Sequence, residues 1–345
     1  MLGKLDDFKP DRDRSAAEGA TVPVIDISPF LSSGQRSSQA RDVVAAVAKA
    51  CEEIGFLVVV GHSVPEDVIA SVMKESDKFF AQPADVKMGI KRPAPGVSRG
   101  FNSLADQSLA KTLGAKAPPD LMESLGFGPL KIGKGAYWEE GHASTYFYPN
   151  LWPSGMPEFK AAVEAYYREM EKLASTLCRV FALALDKEEN FFQDKIDRHI
   201  STMRINYYPA QNVAPLPGQI RAGAHSDYDA FTILKTGSKG LQVLRRGGDW
   251  TGVPIVPNGF VINIGDMLMR WTNDRWVSTL HRVVNPPEQV RNQSRISLAY
   301  FQIPNHDVSI DSFESCTGPD NPQRYAPTTA GAHWLGKILA ARAKD

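Results

Sequence analysis

Cysteine is scarce in this chain. There are three in 345 residues, Cys51, Cys178 and Cys316, with no short spacing between any two. A disulfide framework or a cysteine-based zinc site needs paired or closely spaced thiols, so both are excluded as organising features. Cys51 and Cys178 fall inside apolar, helix-like segments and read as buried free thiols of a reducing compartment. Net charge is missing too. Lys+Arg and Asp+Glu number 39 each, so no global field draws the chain to nucleic acid or an anionic membrane. The one short basic run, "LRRGG", reads as a turn. No apolar stretch reaches the length of a membrane span. The polar residues 1–20 lack the apolar region of a secretion signal and read as a flexible leader. The expectation is a cytoplasmic protein with no nucleic-acid or membrane partner.

What is present is a core. Hydrophobic residues make up 43% and charged residues 23%, the balance of a globular protein. "VPVIDISPF" (22–30) predicts a short strand. "SSQARDVVAAVAKACEEIG" predicts a helix with Ser38 as its N-cap and Gly55 as its stop. "FLVVVGH" (56–62) predicts a second strand, and "VPEDVIASVMKESDKFFAQP" a second helix. Residues 84–150 are irregular and rich in Gly and Pro. "MPEFKAAVEAYYREMEKLASTLCRVFALALD" carries an apolar stripe over many turns and is the strongest helix signal. From about residue 200 to 305, short β-prone runs alternate with Gly, Pro and Asn turns, which predicts an antiparallel sandwich or barrel. A terminal helix is expected over 328–343. The class is α+β, with residues 21–345 forming one unit and 21–120 an N-terminal α/β region.

The chemistry begins at "AGAHSDYDAFTIL" (222–234). His225 and Asp227 are two apart, and on a strand such residues share a face. A third ligand has to come from the other histidines. His281, in the β-prone "STLHRVVN", is the best placed; His62, His142, His199, His306 and His333 read as turn, surface or packing residues. Two His and one carboxylate leave half an octahedron open, the facial arrangement of non-haem Fe(II) oxygenases. Further on, Arg295 and Ser297 share a strand face and suit the distal carboxylate of a small dicarboxylate. Asn206 and Tyr208, in "RINYYP", add an amide and a phenol on one face.

Together these motifs resemble the Fe(II)/2-oxoglutarate dioxygenases of the isopenicillin-N-synthase-like group, which includes plant flavonoid and gibberellin oxidases and bacterial secondary-metabolite oxidases. The resemblance runs over roughly residues 22–305, through "GFLVVVGHSVP", "SRGFNSL", "DLMESLGFG" and "GDMLMRWTNDRWVSTLHRVVNP". It implies a double-stranded β-helix, or jelly roll, over 200–305, flanked by the N-terminal and central helices. It implies Fe(II) on His225, Asp227 and His281, with 2-oxoglutarate and O2 as cosubstrates. Arg295 and Ser297 would grip the 2-oxoglutarate C5 carboxylate, with Tyr208 and Asn206 as further contacts. Arg204 and Phe301 match substrate-facing positions, and Phe231 and Ile303 are expected to join an apolar, aromatic pocket. The implied reaction yields succinate and CO2 with hydroxylation, desaturation or ring closure of a small hydrophobic or aromatic molecule.

Some positions depart from the family pattern. Asp229 stands where glycine is usual, Phe231 where Leu, Ser or Thr is common, and Met122 where Lys is frequent. Asp229 therefore counts as a pocket candidate facing iron, substrate or solvent. Two alternatives stay open at this level: an oxidase of the same fold that uses no 2-oxoglutarate, and a metal-containing jelly-roll binding protein. A monomer is expected.

Overall fold

Alternation along two strands decides how this protein is layered. On one side of the sheet Met203, Ile205, Ile296, Leu298 and Tyr300 enter the main apolar core. Their neighbours Thr202, Arg204, Asn206, Ser297 and Ala299 face a cavity. Both faces are buried, so the strands read as nearly continuous apolar runs and only the parity of the polar residues marks the cavity side. The computed structural model describes residues 21–33, 37–106, 108–113, 117–245 and 248–342. The leader expected over 1–20, and residue 343 of the expected terminal helix, lie outside the described residues.

The chain begins with strand β1 (Val24–Asp26), helices α1 (Ser28–Ser33) and α2 (Ser38–Glu53), strand β2 (Phe56–Val60) and helix α3 (Glu66–Phe80). The strand expected over 22–30 stops at Asp26. Asp26 Oδ1 accepts the Ser28 N–H at 2.9 Å, and Pro29 then sits in the first turn of α1, where its missing N–H costs nothing. The cap of α2 is Ser37 rather than Ser38: its hydroxyl accepts the Ala40 N–H at 3.0 Å. Gly55 does end that helix, with φ of 65°, and a Cβ there would lie 1.9 Å from the Val277 carbonyl oxygen.

The stretch read as irregular holds α4 (Ala84–Met88), β3 (Gly100–Asn102), a 3₁₀ turn (Leu109–Leu113), β4 (Glu123–Phe127), α5 (Ala136–Glu139) and α6 (Ala143–Tyr146). These elements are short, and isolated segments of that length have almost no propensity signal of their own. The long helix α7 (Pro157–Ala184) starts on a proline and buries Phe159, Tyr166, Leu177 and Phe181 along its stripe. Each such side chain contributes about 1.5–3 kcal/mol by leaving water.

The β-rich half follows: β5 (Thr202–Tyr208), β6 (Ala222–His225), β7 (Phe231–Thr236), β8 (Leu241–Leu244), β9 (Trp250–Gly252), β10 (Phe260–Ile264), α8 (Asp266–Trp271), β11 (His281–Val283), β12 (Arg295–Gln302), β13 (Ser309–Ile310), β14 (Thr328–Thr329) and α9 (Ala330–Arg342). "GFVINIGDMLMRW" thus splits into a strand and a helix, not one β run. Asp266, read as a turn residue, opens α8 and is buried, accepting from Ser278 Oγ at 2.8 Å.

Eight strands form one sheet in the order β1-β2-β10-β7-β12-β5-β4-β3, and four form a second in the order β6-β11-β8-β9. Among the described residues, the strand ladders of these two sheets are antiparallel except that of β1 with β2. The N-terminal strands therefore extend the same sheet that carries β5 and β12. A smaller apolar cluster, including Phe56, Leu241, Val243 and Val283, fills the space between the sheets beside the cavity. This two-sheet core with its flanking helices is the double-stranded β-helix of an α+β protein.

Candidate active site

His225 ends β6 and His281 begins β11, and the two are direct partners in the ladder between those strands. Their rings lie 4.3 Å apart, centre to centre. Asp227 lies just past the end of β6, so it reaches the histidines from the bend after the strand, not from a shared strand face. His225 Nε2 is 3.8 Å from Asp227 Oδ1, and His281 Nε2 is 3.8 Å from Asp227 Oδ2. Among the described residues, this is the one group of three His, Cys, Asp or Glu whose ligand atoms converge, all within 4.8 Å of one another.

Neighbouring groups fix the direction of each ligand. The Nδ1 atoms of His225 and His281 face the carbonyls of Gly223 (2.8 Å) and Thr279 (3.1 Å). A carbonyl takes an N–H, so each Nε2 keeps its lone pair free for a metal. Asp227 Oδ2 accepts from Asn263 Nδ2 at 2.7 Å and from Thr232 Oγ1 at 2.5 Å. Burial, then the nearby His281, pushes His225 down to about 4. Burial works to raise Asp227, but both imidazoles and its two hydrogen bonds hold it below the usual carboxylate value. The set is two imidazole nitrogens and one carboxylate, the donor set that suits a divalent iron ion.

Asp229 does not reach this cluster directly. Burial, and then the Asp227 charge, raise its carboxyl well above the ordinary range. Thr232 Oγ1 lies 2.9 Å from Asp229 Oδ2. The Thr232 hydroxyl thus faces both carboxylates and bridges Asp227 and Asp229. Gly265 makes room for this carboxyl, since a Cβ there would stand 2.2 Å from Asp229 Oδ1.

Along the opposite wall, β5 and β12 set side chains in pairs: Arg295 with Tyr208, Ser297 with Asn206, Ala299 with Arg204 and Phe301 with Thr202. All eight line a cleft with about 1100 Å³ of empty space, part of it open to solvent. The Arg295 guanidinium is buried over the Tyr208 ring (4.7 Å) and donates to Thr236 Oγ1 (2.8 Å) and Ser297 Oγ (3.4 Å). Arg295 Nε and Asn206 Oδ1 are buried without a protein partner. Orphaned donors and acceptors of this kind are what a polar cosubstrate would satisfy. Arg204 lies 5.8 Å over the Phe301 ring and makes no ion pair among the described residues.

Two expected pocket residues are elsewhere. Phe231 and Ile303 lie in the main core, not in the cleft. On β7 the cleft takes the other parity, Thr232 and Leu234, and the Phe231 ring meets Phe181 edge-on at 5.0 Å. At Ile303 the strand has ended, and its N–H goes to Ser201 Oγ. Trp271 and Trp276 are core residues as well. Of the other histidines, His62 accepts the Val64 N–H at a strand end, and His199 pairs with Glu171.

Sequence reading also missed part of the wall. Trp334 and Ile338 of α9 line the cleft, as do Ser108 and Leu109. The apolar stretch of α9 signals burial but not which element it buries against. Asp120, in the quoted "DLMESLGFG" motif, accepts the N–H of Leu109 (2.8 Å) and of Gly223 (2.8 Å). It thereby ties that wall to the strand bearing His225.

The fold and this donor set define a non-haem iron oxygenase. Two family models match: the N-terminal region of non-haem dioxygenases in morphine synthesis over residues 22–155, and the 2OG-Fe(II) oxygenase superfamily over residues 199–304. The chain belongs to the 2-oxoglutarate–Fe(II) oxygenase family. It is 32% identical over 313 residues to the 2-oxoglutarate-Fe(II) type oxidoreductase hxnY of Emericella nidulans, covering 89% of this chain and 86% of that one. It is 31% identical to homoarginine-6-hydroxylase 2-ODD-C23 of Glycine max, covering 94% and 98%. Among solved structures, a full-length Neurospora crassa protein in complex with alpha-KG and 5-formyluracil superposes with a TM-score of 0.79 at 28% identity, covering 96% of this chain and 99% of that one. The protein is thus a 2-oxoglutarate-dependent oxygenase, with Fe(II) as its metal and 2-oxoglutarate and O2 as cosubstrates. The family comparisons do not favour the alternative without 2-oxoglutarate. Among the described residues no helix is long and apolar enough to cross a membrane.

Proposed function

We propose that His225, Asp227 and His281 hold the iron, that Arg295, Ser297, Tyr208 and Asn206 hold 2-oxoglutarate, and that the chain hydroxylates a small molecule with an apolar or aromatic body. The bound metal and cosubstrate would supply the oxidising chemistry, with succinate and CO2 as co-products. The protein's own residues do the rest. The two imidazoles and Asp227 would hold the metal at the wall that faces β5 and β12. Arg295, through a planar fork of donors, would hold the distal carboxylate of the cosubstrate in the same cleft.

The observation that carries this reading is the order of the paired residues on β5 and β12. The Arg295–Tyr208 and Ser297–Asn206 pairs suit a dicarboxylate. The next two pairs, Ala299–Arg204 and Phe301–Thr202, continue the same wall into space that Trp334 and Ile338 cover. Phe301, Trp334 and Ile338 favour an apolar body, and Arg204 favours an acidic or strongly hydrogen-bond-accepting group on it. Asp229 lines the cleft, as expected of a pocket residue, and is also joined to Asp227 through Thr232. Residues 21–345 are read as one catalytic unit acting as a monomer.

The test is 2-oxoglutarate-dependent succinate formation by the Fe(II)-loaded protein, with anaerobic titration of 2-oxoglutarate followed in the visible region. Binding of 2-oxoglutarate and succinate release that depend on His225, Asp227, His281 and Arg295 are expected. A protein that takes up neither iron nor 2-oxoglutarate would remove the assignment.

A further inference from the structure

Arg295 is not the only guanidinium beside Tyr208. Arg221, the residue before β6, is buried at 4% exposure, against 3% for Arg295. Its guanidinium lies 5.8 Å over the Tyr208 ring, which Arg295 meets at 4.7 Å. One Arg221 donor, Nη2, goes to the Gln293 carbonyl at 3.1 Å, two residues before Arg295. The Arg221 Nε is buried with no partner, as is the Arg295 Nε. Neither arginine has a carboxylate within ion-pair distance among the described residues. Burial, and next the Arg295 charge, lower the basicity of Arg221. The two charges therefore feel each other.

Two buried like charges around one phenol are costly unless an anion joins them. Tyr208 and Arg295 line the cleft, and Arg221 does not. We propose that Arg221 is a positioning residue for the distal carboxylate of 2-oxoglutarate, acting through Tyr208 and Arg295 to make a two-cation pocket selective for dicarboxylates over monocarboxylic 2-oxo acids. The inference rests on the reading that Arg295 receives that carboxylate.

Two features support a charge role over a packing role. A packing residue in this place would be apolar, because a guanidinium with an unpartnered Nε is a poor filler. Arg221 also holds the backbone at Gln293, so it joins the loop before Arg295 to the strand of His225. The metal-bearing strand and the cosubstrate-bearing strand thus meet through one cation.

The experiment compares affinities of the Fe(II)-loaded protein without O2, by calorimetry, for 2-oxoglutarate and for 2-oxobutanoate, which lacks the distal carboxylate. Arg221→Gln keeps a donor for the Gln293 carbonyl but removes the charge. Arg221→Lys keeps the charge. Arg221→Gln is expected to weaken 2-oxoglutarate about tenfold or more, the scale of losing one charge interaction in a partly dry site. It should leave 2-oxobutanoate within about twofold, and Arg221→Lys should retain 2-oxoglutarate within about threefold. Equal losses for both acids, or equal behaviour of the Gln and Lys variants, would overturn the proposal. If Arg221→Gln does not fold, the Lys variant decides: it must show 2-oxoglutarate affinity near wild type with selectivity intact. If Arg295→Met also leaves 2-oxoglutarate affinity unchanged, the underlying site reading fails. If Arg295→Met weakens it and Arg221→Gln does not, only this inference fails.

Discussion

His281 stands directly opposite His225 in the β6–β11 ladder, and Asp227 places Oδ1 3.8 Å from His225 Nε2 and Oδ2 3.8 Å from His281 Nε2. The separation of the two imidazoles is therefore set by a strand pairing, while Asp227 reaches them from beyond the end of β6. Residues directly opposite on antiparallel strands have nearly fixed separations.

Removal of a ligand should abolish metal uptake. His225→Ala or Asp227→Ala is expected to lower Fe(II) affinity by more than the roughly 10–100-fold cost of losing an outer partner, and to stop succinate formation. Metal analysis after gel filtration reads the first effect directly. Normal turnover by either variant would be incompatible with the assignment.

The supports of Asp227 predict a graded effect. Thr232→Val or Asn263→Ala removes one of the two side-chain donors to Asp227 Oδ2. A loss of about 10–100-fold in metal affinity is expected, measured by Co(II) titration. Unchanged affinity in both variants would mean that the donors do not orient the carboxylate.

Arg295→Met tests the cosubstrate end. A hydrogen bond to a charged group is worth about 1.5–3 kcal/mol, so the KM for 2-oxoglutarate should rise about tenfold or more. The affinity for iron should stay within experimental scatter, since Arg295 makes no contact with the three ligands.

Phe231 and Phe301 should part company. Phe231→Ala opens a hole against Phe181 in the main core and is expected to cost about 3–5 kcal/mol of stability, read as a drop in Tm or denaturant midpoint. Phe301→Ala alters the cleft wall and should shift substrate preference with a smaller change in stability. The opposite pattern would restore Phe231 to the pocket.

Asp120 predicts a pH effect. Burial pushes its carboxyl up to about 6. Because the folded value lies above the unfolded one, the unfolded chain loses its proton first. Stability is thus lost as pH rises from about 4 to 6 and is flat above that, by an amount on the order of 3 kcal/mol at one pKa unit per 1.36 kcal/mol. Asp120→Asn removes this dependence while losing one backbone acceptor. Denaturation at pH 4 and pH 6.5 should show a smaller difference in the variant than in wild type.

The convergence of His225, Asp227 and His281 and the shared cleft face of Arg295, Ser297, Asn206 and Tyr208 were legible in part, from two-residue spacings and from the resemblance that singled out His281. Parity on a strand is a local property, so alternate positions could be assigned together. The resemblance misplaced Phe231: β7 begins at that residue, and its cleft face carries Thr232 and Leu234 instead. Parity alone made Asp227 a strand residue, although β6 ends at His225. Arg221 and Trp334 had no local signal. An arginine before a strand and a tryptophan in a terminal helix look the same whether they face solvent, core or cleft.

The sequence by itself determined the class of chemistry and put forward residues to perform it, since donor types and short spacings are chemical facts that need no fold. Only the tertiary structure decided what lies behind and above them. Contacts between residues a hundred or more positions apart, such as α9 over the cleft or Asp120 on the His225 strand, arise from sheet packing. No local pattern specifies which apolar face covers which.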